Sequence, residues 1–134
     1  MATKTIRKVP FINSDDIQSL YQFVTLEAFK YPSISAQAAT IEKFSEAVRI
    51  VQRDNPAADR VKFLRLVDKH LAACVKFYAD HQERVLDGTT GLGIDGESDT
   101  AILLHAELEV HRFGAQCALD AHRIWCEVDK KARK

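Results

Sequence analysis

The sequence predicts an all-α protein: an up-and-down four-helix bundle with a long C-terminal helical hairpin. Three observations predict it. Apolar residues recur at three- and four-residue spacing along most of the chain, and no stretch alternates as a strand would. Residues 57–87 and 100–130 are striped in this way, each about 31 residues long and so roughly 46 Å as a helix. The Gly-rich stretch 88–99 joins them, and a matched pair with one connection reads as an antiparallel hairpin.

The elements follow in order. Residues 1–13 form an N-terminal arm in which Pro10 and Phe11 can pack onto the bundle. Ser14 suits an N-cap, and Asp15 and Asp16 suit the positive end of a helix dipole. Ile17, Leu20, Tyr21, Val24, Ala28 and Tyr31 then stripe a helix over 15–31, which Pro32 ends. A second helix covers 35–54, striped by Ala38, Ile41, Phe44, Val48 and Val51. Asn55-Pro56 marks a turn, with Pro56 placed just at the start of the third helix.

The third helix carries Leu64, Val67, Leu71, Cys74, Val75, Tyr78 and Val85. A second row of Phe63, Leu66, His70, Phe77 and His81 widens its apolar arc beyond what a surface helix needs. In the fourth helix Leu103, Ala106, Val110, Phe113, Cys117, Ala121, Ile124 and Val128 form the main seam, flanked by Leu104, Leu108, Ala115, Ala118 and Leu119. The first two helices are shorter than this hairpin. Its upper part, roughly 16 Å near Tyr78–Asp87 and Thr100–His111, should therefore protrude beyond them.

Composition narrows the function classes. The chain has 134 residues, 46% hydrophobic and 28% charged, ordinary for one soluble domain. Its 19 basic residues equal its 19 acidic ones, so net charge draws it to neither nucleic acid nor membrane. No apolar run approaches a membrane span, and the basic start lacks the apolar core of a signal peptide. Three cysteines, Cys74, Cys117 and Cys126, are an odd number inside helical patterns, which fits a reduced, cytoplasmic protein. Charge is uneven along the chain. Lys4, Arg7, Lys8, Lys130, Lys131, Arg133 and Lys134 make one end basic, while Asp87, Asp95, Glu97, Asp99, Glu107 and Glu109 make the other acidic. Weak nucleic-acid association through the basic termini is a second alternative, although no helix carries a basic face with interleaved aromatics.

Several motifs fail on context. Gly91-Leu92-Gly93-Ile94-Asp95-Gly96 matches G-x-G-x-x-G in letters, yet a helix precedes it where the dinucleotide fingerprint needs a strand. Asp95, Glu97 and Asp99 lack the ligand pattern of a calcium loop. The segment reads as a helix connector, with Ser98 or Asp99 capping the last helix. No Glu-x-x-His occurs, which removes the di-iron bundles, and no second carboxylate cluster faces Glu42 and Glu46. His70/Cys74 and His122/Cys126 repeat a His-x-x-x-Cys spacing that could hold a metal on one helix face. Opposite residues in the long hairpin sum to about 187, which sets residue 70 near 117 and leaves the two pairs apart. No metal and no cofactor are expected.

The function expected is that of a protein–protein interaction or adaptor module, acting as a homodimer. Its candidate surface is the protruding tip: Tyr78, His81, Val85, Leu86, Ile102, Leu103, Glu107 and the acidic loop 95–99. The alternative is a small-ligand pocket built on His81, Glu107 and His111, where Glu107 and His111 lie one turn apart and His81 comes level with residues 105–107. No catalytic residue stands out.

Overall fold

The computed structural model describes residues 14–91 and 93–132. The expected arm over 1–13, and the basic residues Lys4, Arg7, Lys8, Arg133 and Lys134, lie outside the described residues. Among the described residues there are four helices and no strand: α1 (Ser14–Ala28), α2 (Ile34–Asp54), α3 (Arg60–Leu86) and α4 (Asp99–Ala132). The bundle and its long C-terminal hairpin are those the periodicity predicts.

The boundaries shift for local reasons. α1 stops at Ala28 and not at Tyr31, because its last turn tightens. Lys30 N–H bonds Glu27 O at 3.2 Å and Tyr31 N–H bonds Ala28 O at 3.1 Å, just ahead of Pro32. Ser33 caps α2, its hydroxyl accepting from Ala36 N–H at 3.3 Å. Pro56 does not open α3. It sits in a turn closed by Ala58 N–H to Asn55 O at 3.1 Å, and Asp59 caps the helix by accepting from Lys62 N–H at 2.8 Å. Ser98 caps α4 through a 3.1 Å bond from Ala101 N–H.

α4 is the central helix and packs against all three others, while α3 and α4 form the most extensive pair. α2 runs parallel to α4 across the bundle, with Ala39 opposite Gly114 and Phe44 opposite His122. This diagonal is short because both helices offer small side chains. A Cβ on Gly114 would lie 2.6 Å from Ala39 Cβ and 2.7 Å from Ala39 C, so glycine alone fits. The core gathers Leu20 and Val24, Phe44, Val48 and Val51, Phe63, Val67 and Leu71 around Ala118, Leu119, Ala121 and Trp125. At the end holding the termini, Arg60 is nearly buried beneath Trp125 and pairs with Asp16 at 3.1 Å and with Asp129. One guanidinium so ties α1, α3 and α4 together.

The stripes rotate relative to the sequence pattern. Ile124 and Val128, expected in the α4 seam, face outward. The buried line is instead Gly114, Ala118, Ala121, His122 and Trp125, since small residues admit the close approach of α2. Ala38 is exposed, and α2 buries Ala36, Ala39, Thr40, Lys43 and Ala47 beside Phe44, Val48 and Val51. Phe77 is 52% exposed rather than part of a buried row.

Candidate functional site

The hairpin tip is built by a difference in helix length. Ala39 lies opposite Gly114 and α2 begins at Ile34, so α2 ends near the level of residue 109 on α4. Residues 99–109 of α4, and the matching turns of α3, extend past it. On a helix turning 100° per residue, Leu103 and Glu107 lie within about 20° of the line through Gly114. That line is the one α2 covers lower down. Above the α2 terminus the same line is open: Leu103 is 71% exposed, and Glu107 is exposed one turn below it. Ile102 is 56% and Leu86 52% exposed beside them.

The connector folds back on this end. Thr89 N–H bonds Arg84 O at 2.9 Å to close α3, and Gly96 then passes so near the helix end that a Cβ would sit 2.1 Å from Leu86 O. Val85 and Ala101 are buried beside the connector, at the far end of the tip. Val85, expected on the open surface, thus belongs to the seam between α3 and α4. Asp95 accepts from Glu97 N–H at 3.1 Å, and its backbone carbonyl takes the Ser98 hydroxyl at 2.7 Å, so these groups order the connector.

The polar residues singled out in the sequence divide between two faces. Tyr78 and His111 come together, their rings stacked at 5.1 Å with a 16° tilt. The Tyr78 hydroxyl accepts from the buried ammonium of Lys43 at 2.9 Å, which links α2, α3 and α4. His81 faces elsewhere. Its Nδ1 lies 2.9 Å from Phe77 O and its Nε2 3.2 Å from Arg84, in a shallow groove shared with Phe77, Asp80 and Glu83. Glu107 is exposed on α4. The structure therefore does not gather His81, Glu107 and His111 around one pocket. The rotation between levels explains it: Gln82, one residue on from His81, is the α3 side chain that faces α4. Its amide donates to Glu109 Oε1 at 2.8 Å and accepts from Arg112 Nε at 2.9 Å. Arg112 also chelates Glu109, with its Nη2 2.6 Å from Oε2. Hydrogen bonds from Arg112 and Gln82 hold the Glu109 carboxyl below the usual range.

A second assembly lies between α2 and α3. Ligand atoms of Glu46, His70 and Cys74 all fall within 4.8 Å of one another. His70 Nε2 is buried with no hydrogen-bond partner among the described residues. Burial, and then the Glu46 charge, push the Cys74 thiol up from its ordinary value, while Lys43 pulls it down. The sequence marks His70 and Cys74 by their spacing but sets them against α4, whereas Glu46 comes from α2.

The other His–Cys pair is occupied otherwise. His122 Nε2 donates to Leu64 O at 2.9 Å, and Cys126 Sγ lies 3.7 Å from that same nitrogen. Burial, with the nearby Asp129 and Asp68 charges, raises the Cys126 thiol to about 11. Burial likewise lowers the His122 pKa, favouring the neutral ring. Its contribution to stability is then complete above the unfolded imidazole pKa of about 6.5, and is lost as pH falls from there through the folded value. Urea unfolding at about pH 7.5 and about pH 5.5 should show a smaller acid-side loss in His122→Gln than in the wild type. An equal loss in both would remove His122 as the cause.

No family model, curated protein or solved structure matches the chain.

Proposed function

We propose that the chain is an interaction protein that self-associates through the hairpin tip, with a second copy of the chain as the occupant. The observation that supports this most directly is Leu103, open on the line that α2 covers about three turns further down, at Gly114. Two helices make one layer, and a layer with an apolar face is stable only against another. The missing layer at the tip is a pair of apolar helices, and the tip of a second chain offers one. A two-fold axis through Leu103 would bury Leu86, Ile102 and Leu103 from both copies, in the isologous form most dimers take.

Charge bears on the choice of occupant. Asp87, Asp95, Glu97, Asp99 and Glu107 are exposed around these residues. In a pair of tips they lie at the rim and repel, so added salt should strengthen association. A basic partner would be weakened by salt instead. Cys74, Cys117 and Cys126 are all free thiols, which favours a reducing compartment, and we place the protein in the cytoplasm on that ground.

Leu103→Asp tests the surface. Each leucine contributes about 1.5–3 kcal/mol when buried, and two-fold symmetry counts it twice, so the dissociation constant should rise by roughly two orders of magnitude or more. Sedimentation should show the variant as monomer where the wild type is dimer, with its circular dichroism unchanged. A folded Leu103→Asp protein that dimerises as the wild type does would reject the tip.

A further inference from the structure

We propose that Glu46, His70 and Cys74 form a three-ligand site for Zn²⁺, clasping α2 to α3. The placement comes from two regular features. His70 and Cys74 lie four residues apart on α3, so both side chains leave one face of that helix. α2 runs antiparallel to α3 from the turn at Asn55 and brings Glu46 to the same level. The three donors, one oxygen, one nitrogen and one sulfur, then lie within 4.8 Å of one another. Bond lengths of about 2.0–2.3 Å to a tetrahedral Zn²⁺ require donor separations of roughly 3.3–3.6 Å. Closing that difference takes side-chain shifts of the order of 1 Å.

The donor set selects the ion. Thiolate and imidazole disfavour Mg²⁺ and Ca²⁺, which take oxygen, while mixed sulfur, nitrogen and carboxylate donors suit Zn²⁺. His70 Nε2 supplies the second observation. It is buried without a hydrogen-bond partner among the described residues, as are His111 Nδ1 and His122 Nδ1, and of these three rings only that of His70 stands in a three-donor cluster, where a cation would offset the cost. The charges also balance: a thiolate and a carboxylate neutralise the ion, so the neighbouring Lys43 ammonium, held by Tyr78, is not opposed. His70 also lines a groove of about 310 Å³ with Ile50, Asp54 and Lys69, so one of the three ligands borders open space. The His122–Cys126 pair is the internal contrast. It has the same spacing, but the imidazole nitrogen beside its sulfur already donates to Leu64 O.

Co²⁺ and Zn²⁺ titrations of the chelator-treated, full-length chain test the site. One Co²⁺ per chain should bind with a near-ultraviolet thiolate charge-transfer band and the visible bands of tetrahedral cobalt, and Zn²⁺ should displace it. Cys74→Ser should abolish the charge-transfer band while circular dichroism stays unchanged. Loss of a partner outside the coordination shell typically weakens metal binding ~10–100-fold, so Glu46→Gln, which removes a ligand, should weaken Zn²⁺ by about 100-fold or more. Glu46→Gln and His70→Asn carry the test if Cys74→Ser fails to fold. A wild-type chain with no charge-transfer band would overturn the proposal. So would a band that survives Cys74→Ser, or one lost in Cys126→Ser but kept in Cys74→Ser.

Discussion

Gly114→Val is expected to destabilise the fold by about 3 kcal/mol, the upper part of the range for overpacking a tight interface. The added Cβ meets Ala39 Cβ at 2.6 Å, Ala39 C at 2.7 Å and Ala39 O at 2.9 Å. Two of those atoms are backbone, so no rotamer change relieves the contact and α2 must move as a body. Valine's branches add further crowding. Gly114→Ala should cost less, because alanine regains about 1 kcal/mol of helix propensity over glycine. For a domain of this size the valine variant should melt roughly 10 °C lower. A valine variant with the wild-type melting temperature would mean that α2 and α4 do not approach this closely in solution.

Phe44→Ala is expected to have the largest effect of all, a loss of about 3–5 kcal/mol. Phe44 is fully buried where α1, α2 and α4 meet. Its ring takes the edge of Tyr21 at 4.9 Å and 83°, and lies 6.3 Å from His122. Truncation opens a cavity that three helices cannot close together, and the edge contact with Tyr21 goes as well. Domains of this kind have about 5–15 kcal/mol in total, so the variant should be marginal at 37 °C. Phe77→Ala is the control. The sequence pattern places both phenylalanines on apolar rows, yet Phe77 is half exposed beside Tyr78 and His81, and its loss should cost about 1 kcal/mol. Chemical denaturation of the two variants measures this difference directly. Equal losses would contradict the orientation of α3.

Those two residues show how far pattern reading reaches. Helix number, order and approximate length were legible, because long amphipathic segments punctuated by Pro32, Asn55-Pro56 and the glycines of 88–96 leave few other arrangements. The protruding tip was legible too, since it follows from unequal helix lengths alone. Rotation about each helix axis was not. Ile124 and Val128 carry more hydrophobic weight than Gly114, Ala118 and Ala121, yet the small residues face α2, because close approach rewards small volume over apolar area.

The same rotation error governs the candidate sites. Register about the 88–99 connector brings His81 level with residues 105–107, and the level is correct, but Gln82 is the side chain that reaches His105, Glu109 and Arg112. One residue is 100° on a helix, which separates His81 from His111 altogether. Glu46 was missed for a different reason. Around the Asn55-Pro56 turn, opposite residues sum to about 120, as Lys43 and Tyr78 do. That register puts Glu46 across from Cys74, so the cluster was within reach of the spacing that already marked His70 and Cys74.

The central claim is that the open stripe at the tip closes against a second copy. Light scattering on a sizing column, over a range of concentrations and at low and high salt, tests it most directly. The result expected is a species of about 30 kDa, twice the 15.1 kDa chain, more persistent on dilution when salt is added. A 15.1 kDa monomer at every concentration and both salt levels would contradict it.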